Sequence, residues 1–153
     1  MKKLYCDGGH SKQSGKDAWG SVTDEQGNDL LCEEKINDMN IKVVNLPKRG
    51  TTTVIVANFP DVKAQQNNGA ELLSMIQALR IALRENYDII CSDSDLVVKY
   101  WSTGHISPSA KLCDEKRSWI KFCGELRKEF EAKGGKIIKI AGKDNPADLF
   151  GAH

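Results

Sequence analysis

Four carboxylates stand where one regular element should give way to the next: Asp7, Glu71, Asp93 and Asp148. Each has an ordinary structural reading. Asp7 before Gly8-Gly9 fits a turn, and Asp93 or Asp95 fits the cap of a following helix. Glu71 and Asp148 fit the first turn of a helix, where the peptide dipoles favour acids. Their occurrence together around one α/β framework points further. Four carboxylates gathered in one place repel one another unless cations lie between them. Oxygen donors of this kind suit Mg²⁺ or Mn²⁺ and not zinc. Two such ions can activate a water and steady the leaving oxygen of a phosphodiester.

The elements that must carry these acids follow from pattern and punctuation. Lys2–Cys6 reads as a first strand stopped at Asp7-Gly8-Gly9. Ala18–Thr23 reads as a second, and Gly27-Asn28 turns into a third near Asp29–Ile36. Residues 37–50 read as irregular, with Pro47 and Gly50 as breakers. Thr51–Asn58 is the most β-prone run, either the third strand proper or one edge of a longer meander. Asn67-Asn68-Gly69 opens a helix to about Asn86, with Leu72, Met75, Ile76, Leu79 and Leu83 on its apolar face. Ile89–Ser92 is a short buried strand, and Ser94–Ser102 a compact second helix. Leu112–Lys133 is a third helix, with Trp119 turned to the core beside Phe122 and Leu126, and Gly134-Gly135 ends it. Lys136–Ala141 is the last strand, and Asn145-Pro146 starts a final short helix. The order β-β-β-α-β-α-α-β-α predicts a mixed α/β sheet with helices on both faces. Ligands of such sheets sit beyond the carboxyl ends of the strands, where strand order reverses.

A chain of 153 residues with 40% hydrophobic and 28% charged residues is expected to form one domain over residues 1–153 and is not disordered. No apolar run approaches the roughly 18 residues of a membrane span, and no apolar stretch follows the first lysines as a secretion signal would require. Cys6, Cys32, Cys91, Cys113 and Cys123 include no C-x-x-C pair, so they read as reduced thiols in a cytoplasmic or similarly reducing compartment. The net charge of +1 hides segregation. Residues 40–66 hold four basic groups against one acidic, and residues 111–139 hold nine against five. These blocks would seat a polyanion while the acid-rich segments hold a cation.

Four stretches carry a resemblance: YCDGG (Tyr5–Gly9), NNGAELLSMIQAL (Asn67–Leu79), CSDSDLVVKYW (Cys91–Trp101) and GKDNPADL (Gly142–Leu149). Together they resemble the ribonuclease H type 1 family over about residues 2–150. That resemblance implies a ribonuclease H-like fold, a five-stranded mixed sheet with a three-strand antiparallel meander and two parallel strands. It implies endonucleolytic hydrolysis of the RNA strand of an RNA–DNA hybrid by two Mg²⁺ ions, or Mn²⁺, leaving 5′-phosphate and 3′-hydroxyl ends. Asp7, Glu71, Asp93 and Asp148 match the family's metal-binding quartet. Gly8, Gly9, His10, Asn67, Asn68, Ser94 and Lys143 would contact the hybrid, which is recognised by 2′-hydroxyls and groove shape. The enzyme would act as a monomer.

Three features depart from the family pattern. The loop Gly142–Asn145 has no histidine and is similar to the ribonuclease H domains of retroelement reverse transcriptases. Asp95 replaces a frequent amide, and five residues after Asp148 leave room for a short terminal helix only. Lys111, Lys116 and Arg117 are the sole basic residues where the family carries a substrate-binding protrusion. The alternatives are a non-catalytic hybrid-binding module, or a junction resolvase or exonuclease of the same superfamily.

Overall fold

The computed structural model describes residues 1–61 and 66–151. Among these described residues six strands are formed: β1 (Lys3–Gly9), β2 (Ala18–Thr23), β3 (Asn40–Leu46), β4 (Gly50–Ala57), β5 (Ile89–Ser92) and β6 (Lys136–Lys139). Three α-helices join them: α1 (Gln66–Glu85), α2 (Asp95–Lys99) and α3 (Asp114–Ala132). The sheet runs in the order β3-β4-β2-β1-β5-β6. β1, β2, β4 and β3 pair antiparallel, whereas β1, β5 and β6 pair parallel. The expected meander and parallel pair are therefore present as β1-β2-β4 and β5-β6, with β3 added at the edge.

That sixth strand corrects the reading of residues 29–50. No strand forms over 29–36, where Asp29 makes an isolated bridge to Thr23 and accepts from the backbone N–H of Leu31 and Thr53. The strand forms at 40–46, a stretch that reads as irregular because Pro47 and Gly50 stand close after it and its apolar Ile41 and Val43 stay exposed. Pairing with the edge of β4 and the burial of Val44 and Leu46 on the second face stabilise it. Pro47 and Gly50 do not break structure but make the hairpin turn: Leu46 pairs with Gly50, whose φ of 71° suits glycine.

Alternation along the strands divides two cores. Leu4 and Cys6 of β1, Val22 of β2 and Ile55 of β4 join Leu72, Met75, Ile76 and Leu79 of α1. All three helices contribute to this cluster, and Trp119 packs against its margin, as its spacing predicts. On the other face, Trp19, Val44, Leu46 and Val54 receive Leu149, with Phe150 stacked against Trp19 at 5.8 Å. The helix expected after Asn145-Pro146 is absent. A 3-10 turn over Gly142–Asp144 leads into turns and coil, and this coil covers the second face.

The glycines of β1 and β2 set how closely α1 approaches. A Cβ on Gly8 would lie 2.5 Å from the backbone nitrogen of Glu71, and one on Gly20 would lie 2.9 Å from the carbonyl of Ala70. The helix thus rests directly on the strand backbones. Gly8→Ala is expected to push α1 outward and destabilise the fold by about 1–3 kcal/mol, as overpacking does. A melting curve equal to wild type would refute this.

Candidate active site

Asp7 alternates with Cys6 and Gly8, so β1 turns it out of the apolar core, yet it is only 4% exposed. It lies within β1, not after it, because β1 continues to Gly9 in pairing with β2. Gly8 donates its N–H to Asp7 Oδ1 at 2.9 Å. Glu71 is one turn further into α1 than expected, since the helix starts at Gln66. There the Gln66 amide grips the backbone of Phe59 from both sides, at 3.0 Å to its N–H and 2.6 Å to its carbonyl. Asp93 directly follows β5, as predicted. Neither Asp93 nor Asp95 caps α2; Ser94 does, accepting from the N–H of Val97.

Carboxylate oxygens of Asp7, Glu71 and Asp93 lie within 4.8 Å of one another. Asp148 joins them on the wall of one open cleft of about 350 Å³, together with Gly8, Gly9, His10, Asn67, Asn68 and Ser94. Of the sequence-derived residues, Lys143 is the exception. It is exposed on the 3-10 turn and does not line the cleft. Asp95 also stands apart, exposed and 3.3 Å from Lys99.

Burial and mutual repulsion set the electrostatics of the trio. Burial, chiefly, and the neighbouring charges of Asp93 and Asp148 push Asp7 up to about 7. Burial and the Asp7 charge likewise hold Glu71 well above the carboxylate range. Glu71 Oε2 is buried without a hydrogen-bond partner. Buried carboxylate oxygens are normally satisfied, and a divalent ion would satisfy this one. The all-oxygen donor set fits Mg²⁺ or Mn²⁺.

Asn145 has a part in the cleft that its sequence context did not reveal. It is 5% exposed and donates to the Cys6 carbonyl at 3.0 Å and to Asp93 Oδ2 at 3.4 Å, while its own oxygen accepts from the N–H of Ala147 at 3.1 Å. Read as the start of a helix, it instead ties the coil bearing Asp148 to β1. Ser21 adds a hydrogen bond to the Ala147 carbonyl.

The basic blocks are partly structural. Lys116 is fully buried and pairs with Asp61 at 2.9 Å, so it cannot belong to a substrate-binding protrusion. Arg127 donates to the Val98 carbonyl and Ser102, and Lys42 lies over Trp19. Lys121 and Lys128 of α3 remain exposed.

No family model and no curated protein matches the sequence. Among solved structures, the chain is similar to RNase H1 from the halophilic archaeon Halobacterium salinarum NRC-1. The two are 18% identical, with a TM-score of 0.46 over 95% of this chain and 89% of that one. That is a likeness of overall shape, from which no chemistry follows.

Proposed function

We propose that the chain is a divalent-metal-dependent nuclease that hydrolyses the RNA strand of RNA–DNA hybrids. The observation that carries this reading is the convergence of Asp7, Glu71 and Asp93 within 4.8 Å, with one Glu71 oxygen buried and unpartnered, in a cleft that Asp148 also lines. The motif resemblance around the same four acids supports it. Asp7, Glu71, Asp93 and Asp148 would hold two Mg²⁺ ions, which when bound generate the nucleophile and neutralise the leaving oxygen. The protein's own groups fix the geometry. Asp7 neighbours Glu71 and Asp93 and is held by the Gly8 N–H. Asn145 steadies Asp93. Asn67, Asn68 and Ser94 offer donors and acceptors along the cleft, suited to the 2′-hydroxyls of an RNA strand. In the overall step a water oxygen bonds to phosphorus as the P–O3′ bond breaks. The products carry a 5′-phosphate and a 3′-hydroxyl.

The protein should cut the RNA strand of a labelled hybrid in Mg²⁺, and neither duplex DNA nor a four-way junction. Robust cutting in EDTA, or 2′,3′-cyclic ends, would refute the metal-dependent mechanism. Binding without cutting would favour a hybrid-binding module instead.

A further inference from the structure

The coil that bears Asp148 has no helix to orient it, and a side chain from the unforeseen hairpin reaches it. Arg49, at the tip of the β3–β4 turn, is half-buried. Its Nη1 donates to the carbonyls of Pro146 at 2.6 Å and of Asp148 at 3.1 Å, and its Nη2 donates to the carbonyl of Gly27 at 2.8 Å. One guanidinium therefore joins three loops: its own turn, the turn after β2, and the coil after the 3-10 turn. Ser21 and Asn145 fix the residues just before Asp148, and Leu149 anchors the residue after it. Arg49 holds the backbone of Asp148 itself. A planar fork with five donors can satisfy three carbonyls at fixed angles, which a lysine ammonium cannot reproduce from one point.

We propose that Arg49 is a positioning residue for Asp148, and that the β3–β4 hairpin locks the fourth acid into the cleft in place of a terminal helix. The inference rests on the reading of the cleft as a nuclease site. It also removes Arg49 from the phosphate-binding surface that its basic segment would otherwise imply.

The test compares wild type, Arg49→Met, Arg49→Lys and Asp148→Asn, with amide hydrogen exchange measured first, without metal or substrate. The amides of Asp148 and Phe150 are hydrogen-bonded within the coil, to the Asn145 carbonyl and Asp148 Oδ1. In Arg49→Met they should exchange about ten-fold faster or more while the amides of α1 keep their protection. On hybrid, kcat should fall about ten-fold or more, as displaced catalytic groups do, with KM changed less than about two-fold. Arg49→Lys should fail to restore kcat. Adding Arg49→Met to Asp148→Asn should cause no further loss. Unchanged exchange over 145–151, or a raised KM that Arg49→Lys restores, would overturn the proposal, the latter revealing a phosphate contact. If Arg49→Met does not fold, Arg49→Lys decides by the same two readouts. A wild-type protein that cuts no hybrid would refute the nuclease reading, while the exchange data would still judge the clamp.

Discussion

Asp7→Asn is expected to abolish cleavage of hybrid in Mg²⁺ while making the metal-free protein more stable at neutral pH. The loss of activity should reach several orders of magnitude, because metal-ion stabilisation of developing charge contributes several kcal/mol. The gain in stability follows from the raised pKa. Asp7 titrates near 7 in the fold against an ordinary value of 3.8. Between those values the folded protein binds a proton that the unfolded chain releases, so stability falls as pH rises through this window. The contribution is fully present below the unfolded value of 3.8 and is lost as pH rises through about 7. Asp7 and Glu71 interact directly, so this pH dependence belongs to the pair and not to either acid alone. An asparagine does not titrate, so its melting temperature in EDTA should vary less between pH 5 and pH 8, and at pH 8 it should exceed that of wild type. Mg²⁺ should raise the melting temperature of wild type at pH 8 and leave the variant nearly unmoved. A variant whose stability falls with pH as steeply as wild type, or that still cuts at a comparable rate, would contradict the assignment of Asp7.

Lys116→Met should destabilise the fold more than any single change outside the cleft. Lys116 has no exposed surface; its ammonium is 2.9 Å from Asp61 Oδ1 and lies over the rings of Phe59 at 4.9 Å and Trp101 at 5.9 Å. Burial alone would raise the Asp61 pKa, but the Lys116 ammonium and the Cys113 N–H hold it below the ordinary value. Removing the ammonium leaves a carboxylate whose side chain is 8% exposed without its cation, the Cys113 N–H standing at 3.3 Å. Breaking one half of a buried pair costs about 3–5 kcal/mol. Replacing both halves is often neutral, so adding Asp61→Asn should recover most of the loss. Urea melts of the single and double variants check this. Were Lys116 instead a phosphate contact, Lys116→Met would melt like wild type and bind hybrid with a shallower salt dependence.

The two predictions divide along what the sequence can and cannot express. Periodicity and punctuation alone determined α1, α3, β2, β4 and β5, because each carries its own apolar pattern and its own stop signal. The order of elements determined the mixed sheet, and the four acids could be picked out from the motifs around them, although only Asp93 stands at the element end that the sequence marks. That Asp7, Glu71 and Asp93 meet was decided by tertiary structure. It needs α1 pressed onto the backbone of Gly8 and Gly20, contacts between residues 50 or more positions apart with no local signature. β3 was illegible for a related reason. It is an edge strand whose Ile41 and Val43 stay exposed, and its stability comes from pairing with β4 and from Val44 and Leu46 packing on the second face. The C-terminal coil was misread as helix because Asn-Pro fits a helix start locally, whereas buried hydrogen bonds to β1 and β2 hold it in another path. Lys116 and Arg49 show the same limit for charge. A basic residue looks the same in sequence whether it faces phosphate or the protein's own carboxylates and carbonyls. Only the packing around it, through the desolvation it imposes and the partners it supplies, decides which.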